Sequence, residues 1–179
     1  MPADDHPRLM RAIARGSENA FRRLVERHQA ALLNFFRRMG ADAHEAEDAT
    51  QETLLRLFGY RDRYRPQAPF TAFLFTLARH VWIDDRRRRR RSPVVESQVV
   101  EASWSRPEPS VAQEERLDLE GALAELTPGH RMVLVLSVFH GLLYREVSEI
   151  MGIPEGTVKS RVFHALRKLR ARLAPASRR

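Results

Sequence analysis

The residues of this sequence best suited to binding chemistry are basic, and they gather in two places. Six consecutive arginines occupy positions 86–91, and a second basic segment, TVKSRVFHALRK, spans positions 157–168. The guanidinium group is a rigid fork of donors that matches phosphate oxygens and the edges of guanine bases. Both segments therefore favour contact with a polyanion, and nucleic acid is the natural choice.

The charge is distributed unevenly along the 179 residues, whose formal net charge is +8. Residues 1–91 carry a net charge of +7, residues 92–115 of −4 and residues 116–179 of +5. A polyanion would attract the two basic blocks and be repelled by the middle one. The middle block also holds three prolines and five serines without a helical period, so we interpret it as an acidic, flexible linker.

Several classes of site are disfavoured by composition. The chain has no cysteine, which excludes disulfides and thiolate metal sites. No two of its seven histidines are three or four residues apart, so a helical zinc pair is not expected, and neither is another cofactor. No apolar run approaches 18 residues and the N-terminus does not resemble a signal peptide, which predicts a cytoplasmic protein.

The elements that carry these groups are predicted to be helices. Ser17 is a suitable N-cap for a helix over 18–39 that ends at Gly40, and a second helix is predicted over 43–58. The loop 59–69 follows, and then a long amphipathic helix begins at Phe70 and ends in the arginine run. We predict an all-α fold of two small helical domains, 1–91 and 116–179, joined by the linker 92–115.

The second block has the layout of a helix-turn-helix. An amphipathic helix over 112–126, a cap and first helical residue at Thr127-Pro128 and a buried helix ending at Gly141 come first. A short helix over 144–151, a turn at Gly152 and a basic helix over 154–173 complete the layout. The alternative is an ordinary helical hairpin whose basic face is only solvated. On the pattern alone, both interpretations stay open.

Three segments together resemble the extracytoplasmic-function group of bacterial sigma factors. Residues 143–173, which include GTVKSR, are similar to sigma region 4.2. AEDATQETLLRLF at 46–58 resembles region 2.2, and PFTAFLFTLARHVWIDDRRRR at 69–89 resembles regions 2.3 and 2.4. The order of the segments is that of the family, and the resemblance covers nearly the whole chain. It implies a protein that binds core RNA polymerase, directs it to promoters and assists DNA opening.

The resemblance also implies a polymerase-binding surface. Its residues match the polar face that docks on the clamp helices of the largest polymerase subunit: Asp48, Gln51, Glu52 and Leu55. Independently of the resemblance, Asp48, Gln51 and Glu52 lie at i, i+3 and i+4 and project away from the predicted core stripe. By resemblance, the segment from Leu126 to Phe139 also meets the polymerase flap.

The −10 promoter element is matched by the loop 59–69 and by the helix that follows. In the family this loop captures a flipped base, for which a tyrosine would border the pocket and arginines would hold phosphates. Equally, each tyrosine could only fasten the loop to the core. The residues assigned to the −10 element are Tyr60, Arg61, Arg63, Tyr64, Arg65, Arg79, His80, Asp84, Arg86 and Arg87. His80 stands where relatives commonly have asparagine, and Phe73 replaces a common tryptophan and is expected to pack in the core.

The −35 element is matched by the last helix. The residues assigned to it are Thr157, Lys159, Ser160, Arg161, His164 and Lys168. His164 stands where relatives frequently have arginine, which puts the −35 base preference in doubt. Leu143 occupies a position where serine or threonine usually caps the short helix, so a capping bond is expected to be lost there.

The partners implied are core RNA polymerase, promoter DNA and an anti-sigma factor, with no small-molecule substrate. We expect no enzymatic activity of the chain itself. Two rival functions were weighed. A free-standing DNA-binding regulator would give no role to the polar face at 46–58. A resolvase-like recombinase would need a nucleophile or a metal-binding carboxylate cluster, and the adjacent pair Asp84-Asp85 beside an arginine run is a poor candidate.

Overall fold

The computed structural model describes residues 5–91 and 111–173, which form two helical units and contain no strand. The first unit comprises α1 (His6–Ala14), α2 (Glu18–Met39), α3 (Ala43–Gly59) and α4 (Phe70–Arg91). The second comprises α5 (Val111–Ala124), α6 (Pro128–Leu134), a π-helical turn (Val135–Phe139), α7 (Tyr144–Met151) and α8 (Glu155–Leu173). The predicted all-α fold of two units is confirmed.

The helix boundaries of the first unit follow from local signals. The Ser17 hydroxyl accepts a hydrogen bond from the Ala20 N–H at 3.3 Å, as an N-cap should. Gly40 ends α2 with φ of 99°, a left-handed conformation that a glycine adopts without a steric penalty. Asp42 and Glu45 form a reciprocal capping box at the start of α3, with hydrogen bonds of 2.8 and 3.0 Å.

Helix α1 was not predicted from the sequence. It is short and follows Asp5, whose carboxylate forms an ion pair with Arg27 of α2. Its Leu9, Met10 and Ile13 are all buried against the first unit, since they are at most 6% exposed. A helix of nine residues is marginal alone, so the burial of these three side chains is what stabilises it.

The core of the first unit lies between α2, α3 and α4. Its largest fully buried side chains are Leu24, Leu32, Phe35, Phe36, Leu57, Phe70 and Leu74. The Phe35 and Phe36 rings meet edge to face with their centroids 5.1 Å apart. This core fixes α3 and α4 side by side, so that the outward faces of these two helices share one surface.

In the second unit, α6 begins at the predicted cap, and the predicted helix-turn-helix ends the unit. The Thr127 hydroxyl accepts from the His130 N–H, and Pro128 is the first residue of α6. The helix that begins at Pro128 is unbroken as far as Phe139. Its hydrogen-bonding pattern changes from α-helical to π-helical after Leu134. Val158 and Val162 of α8 are buried in a core that includes Leu123, Val133 and Val147.

The turn between α7 and α8 has the geometry that its glycine predicts. Gly152 has φ of 65°, and the Ser148 hydroxyl donates to the Ile153 carbonyl at 2.6 Å across the turn. Leu143 supplies no side-chain cap, as predicted. However, its backbone N–H donates to the Glu146 carboxylate at 2.7 Å, so α7 keeps half of a capping box.

Replacing Gly152 by alanine should destabilise the protein, because a side chain in the left-handed region costs about 1–2 kcal/mol. No atom lies within 4 Å of a Cβ built at this position, so the loss would be conformational and not steric. Thermal or urea unfolding measures it. Gly121→Ala is the matched control, since this open helical position should gain about 0.5–1 kcal/mol. Equal behaviour of the two variants would contradict the prediction.

Two expectations concern the region between the units. Residues 92–110 of the predicted linker 92–115 lie outside the described residues. Helix α5 spans Val111–Ala124, so residues 112–115, where the predicted linker overlapped the predicted helix 112–126, are helical. Within the described ranges, no helix is long and apolar enough to cross a membrane.

Candidate protein and nucleic-acid interfaces

One face of α3 presents polar and apolar side chains to solvent. The opposite face is buried through Ala46, Thr53, Leu54 and Leu57, which fixes the rotation of the helix. As a result Asp48 and Gln51 are exposed, Glu52 is half-buried, and the Leu55 side chain is 64% exposed. The structure therefore brings all four residues assigned to the polymerase together on one surface. An exposed leucine among hydrogen-bonding groups is a common composition for a protein docking site.

A network of ion pairs joins this face to α4. The Arg56 guanidinium donates to the Glu52 carboxylate and to the Asp84 carboxylate, each at 2.8 Å. The hydrogen bond to Glu52, followed by that to Asp84, raises the pKa of Arg56 above its ordinary value. Asp84 consequently lies in the groove between α3 and α4, beside the residues assigned to the polymerase. It is separated from Arg79, with which the sequence grouped it.

The two tyrosines of the loop 59–69 have different environments. The Tyr64 ring packs between Phe70 and Phe73, with centroid distances of 6.0 and 5.3 Å. Tyr60 follows α3 directly, touches the edge of Phe73 at 5.9 Å and remains 45% exposed. Tyr64 thus fastens the loop to the core, whereas Tyr60 offers an accessible ring. Phe73 packs among these rings, as predicted.

The three arginines of the loop 59–69 also have different environments. Arg61 stacks over the Phe58 ring at 4.3 Å and donates to the Phe58 carbonyl at 3.0 Å. Arg65 donates to carbonyls of its own loop, at 3.1 and 3.4 Å. Arg63 is exposed, and its side chain has neither a hydrogen bond nor an ion pair within the described part of the chain; its backbone N–H donates to the Tyr60 carbonyl. Of the three, Arg63 has its charge most available for a phosphate.

The arginines of α4 face two directions. Arg79, Arg86 and Arg87 line a cleft beneath the second unit, together with Trp82. Arg86 lies over the Trp82 ring at 4.0 Å, pairs with Glu45 of α3 at 3.5 Å and is only 37% exposed. His80 is exposed on the helix surface. Arg88 and Arg89 instead both form ion pairs with Asp85 of the same helix, and Arg89 also pairs with Glu45 of α3.

One face of α8 is free of contacts with the rest of its unit. Lys159 and Ser160 are exposed there, and so is Phe163, whose side chain is 63% exposed. Phe163 lies about one turn beyond Lys159 and Ser160, on the same side of the helix. Sequence reasoning missed Phe163, although its i+4 spacing from Lys159 and its place between buried Val162 and Ala165 indicate an outward position. The Phe163 ring is therefore accessible beside the basic groups of this face.

The remaining residues assigned to the −35 element lie on a second side of α8, towards α5 and α6. Arg161 is half-buried beside Gly129, Thr157 is half-buried, and Lys168 donates to the Glu125 carbonyl. His164 is exposed between Phe163 and His130. Burial, followed by the charge of Arg161, lowers the pKa of His130 and keeps this ring neutral at physiological pH. The sequence assigned the −35 residues to one helix, and the structure places them on two sides of that helix.

No group of three or more histidine, aspartate or glutamate side chains positioned to hold a metal ion occurs among the described residues. The described surfaces are suited to binding. They comprise a helix-turn-helix with a basic outward face, a helix lined with arginines and a separate polar docking face. Together they define a helix-turn-helix DNA-binding protein that also has a surface suited to a protein partner.

Comparison with known proteins narrows this class. Residues 24–92 match the family model for Sigma-70 region 2, and residues 116–169 match the model for Sigma-70, region 4. The chain is 40% identical to the ECF RNA polymerase sigma factor SigL of Mycobacterium tuberculosis over 155 residues, which cover 85% of this chain and 88% of that protein.

Two solved structures have the same fold. CnrH in complex with the cytosolic domain of CnrY superposes with a TM-score of 0.73 at 27% identity, over 94% of this chain and 97% of that one. RpoE in complex with the anti-sigma factor NepR, from Bartonella quintana, superposes with a TM-score of 0.70 at 27% identity, over 87% of this chain and 98% of that one.

The chain belongs to the sigma-70 family of RNA polymerase sigma factors, in its extracytoplasmic-function group. It directs promoter-specific transcription initiation with core RNA polymerase, which agrees with the presence of both a DNA-binding unit and a protein-docking face.

Proposed function

We propose that the two described units divide the promoter between them, with the first, 1–91, binding polymerase and the −10 element and the second, 116–179, reading the −35 element. The observation that carries this assignment is the outward face of α8, where Lys159, Ser160 and Phe163 are exposed at the N-terminal half of a recognition helix. In helix-turn-helix proteins, this half lies in the major groove.

The exposed face of α8 supports a specific mode of −35 recognition. Lys159 is placed to donate to guanine N7 and O6, and the Ser160 hydroxyl can donate or accept at a neighbouring base. Phe163 supplies apolar contact, which suits the C5-methyl group of thymine. Arg161, His164 and Lys168, on the second side of the helix, are assigned to phosphates. This division makes the base preference depend chiefly on the first three residues.

Docking on polymerase uses the α3 face. Asp48, Gln51 and Glu52 supply acceptors and an amide, and Leu55 supplies the apolar centre. The continuous groove with Arg56 and Asp84 extends the docking surface onto α4. We therefore reassign Asp84 from the −10 element to the polymerase side.

Capture of a −10 base is assigned to Tyr60, and the neighbouring Arg63 holds the backbone phosphate. Tyr60→Ala should weaken binding of a single-stranded −10 oligonucleotide by roughly five- to a hundredfold, because stacking is worth about 1–3 kcal/mol per base. Fluorescence anisotropy with the holoenzyme measures this effect. Tyr60→Phe keeps the ring and should bind normally. A loss in Tyr60→Phe equal to that in Tyr60→Ala would refute the stacking role.

The partners and setting follow from the family. CnrH and the Bartonella RpoE were each solved with a bound partner, and NepR is described as an anti-sigma factor. We assign this chain an anti-sigma partner as well, a site of action beside RNA polymerase in the cytoplasm, and no enzymatic activity of its own.

Run-off transcription tests the assignment as a whole. Purified core polymerase and this protein are incubated with sheared genomic DNA, and the start sites are mapped. Shared −10 and −35 sequences upstream of the starts should emerge. Start sites that share a −10 but no −35 sequence would overturn the role of the α8 face.

A further inference from the structure

A second histidine lies beside His164, on the side of α8 that faces α6. The His130 ring, near the start of α6, is half-buried, and its centroid lies 6.5 Å from that of His164, with the two rings edge to face. The Thr127 hydroxyl contacts Nδ1 of His130 at 2.6 Å, which leaves the Nε2 edge of this ring for a ligand. His130 is not among the residues assigned to the −35 element, although it adjoins two of them.

Two permanent positive charges accompany this pair of histidines. The Arg161 guanidinium lies beside Gly129, since a Cβ added there would be 3.2 Å from Nη1. Lys168, about one turn further along α8, donates to the Glu125 carbonyl. Within the described ranges, no carboxylate forms an ion pair with Arg161 or with either histidine. The surface at this point is therefore cationic and lacks an acidic partner of its own.

The neighbouring elements do not supply the missing negative charge. At the end of α5, the Glu125 carboxylate is already paired with Arg172 at 3.0 Å. From α4, Arg87 and Arg90 line the cleft that the start of α6 borders, and they add positive charge. An anion bound between the two histidines would thus be attracted from three helices.

The same surroundings suppress the charge of His130 in the free chain. Burial, and then the charges of Arg161, His164 and Lys168, lower the pKa of His130 below its ordinary value of 6.5. A phosphate oxyanion among these groups would offset their repulsion and accept a hydrogen bond from the ring, and both effects favour the protonated form. The free chain therefore keeps this ring neutral under conditions in which a bound anion would favour its charge.

We propose that His130 and His164 form a proton-dependent clamp for a backbone phosphate of the −35 element, which the Arg161 guanidinium completes. The proposal rests on the proposed role of the second unit at the −35 element, and it adds His130 to the DNA-binding residues. The ligand is a phosphodiester, whose non-bridging oxygens share a negative charge. Arg161 binds these oxygens with its fork of donors, and a protonated imidazole adds a charge-assisted hydrogen bond.

The direction of the pH effect follows from linkage between protons and DNA. The clamp with a phosphate binds a proton more tightly than the empty clamp does, so DNA binding is accompanied by proton uptake. Affinity for the −35 element is therefore gained as the pH falls, and the gain ends where the empty clamp is protonated as well. An average uptake of about half a proton between about pH 8 and 6 raises the affinity about tenfold.

Binding of the holoenzyme to two promoter fragments tests the clamp. Both fragments carry the −10 element of a mapped promoter and only one carries its −35 element, so the ratio of their affinities measures the −35 contribution. We expect this ratio to rise about three- to tenfold between about pH 8 and 6 at fixed salt. The double variant His130→Gln with His164→Gln should lose this response. His44→Gln, at a histidine 85% exposed on α3, is the matched control and should keep it.

Two further measurements do not depend on the folding of the double variant. His164→Arg makes one charge of the clamp permanent, so the ratio at pH 8 should approach the wild-type ratio at pH 6, with a weaker response to pH. In the wild type, a neutral methylphosphonate in place of the clamped phosphate should remove the response, and the same replacement at other phosphates should not. A buffer anion bound to these groups would not give such a dependence on one position in the DNA.

The outcomes separate the clamp from the proposed −35 role. A ratio above one that does not change with pH, a response that survives the double variant, or a response that no single methylphosphonate removes would overturn the clamp alone. A ratio of one at every pH would overturn the role of the second unit at the −35 element, and the clamp with it.

Discussion

The double substitution Gln51→Ala with Glu52→Ala is expected to abolish assembly of the holoenzyme. It removes two polar groups from the centre of the α3 face, and hydrogen bonds that involve charged groups are worth about 1.5–3 kcal/mol each. Because 1.4 kcal/mol is about a tenfold change, the affinity for core polymerase should fall at least about a hundredfold. Titration of fluorescently labelled protein with core polymerase measures the change.

The fold should survive this double substitution, because Arg56 keeps its hydrogen bond to Asp84 when Glu52 is removed. Glu26→Ala with Gln29→Ala is the matched control, since it removes the same two residue types from exposed positions on α2. Core binding of this control should equal that of the wild type. Normal assembly of the Gln51/Glu52 variant would show that the α3 face is not the polymerase interface.

Lys159→Ala is expected to lower −35-dependent initiation about ten- to a hundredfold, because a base-reading contact is worth about 1–3 kcal/mol. Binding to core polymerase should be unchanged, because Lys159 is exposed on α8 and is not one of the residues of the α3 face. Transcription from a promoter with and without its −35 element, at fixed salt, separates the two effects. Equal losses on both promoters would indicate a nonspecific electrostatic role or misfolding.

The two sides of α8 should respond differently. Arg161→Ala should weaken −35 binding to all sequences alike and reduce its salt dependence, as expected for a phosphate contact. Arg8→Ala on α1 removes the same charge from an exposed position remote from α8 and controls for net charge. If Arg161→Ala relaxed the base preference more than Lys159→Ala did, the assignment of the two sides would be reversed.

Local signals in the sequence were sufficient to predict most of the fold. Ser17, Gly40, Thr127 and Gly152 each act within a few residues, and the helices they bound were predicted to within about two residues. Helix α1 depends instead on Leu9 and its neighbours packing against α2, so its stability is tertiary. Its i, i+1, i+4 apolar spacing was a weak signal that such packing would occur.

The site was less predictable, because a residue's direction depends on what lies beside its helix. Asp84 is close to the arginine run in sequence, yet its carboxylate binds Arg56 of α3 in the groove between α3 and α4. Arg161 is two residues from Lys159, yet α6 lies on one side of α8 and separates them. The contact of His140 with Phe75 joins residues 65 positions apart, which no local pattern encodes.

The position of the α3 face has a consequence for the order of assembly. Asp48, Gln51 and Leu55 are exposed while the two units are packed against each other. On the proposed assignment of this face, the first encounter with polymerase therefore requires no prior separation of the units.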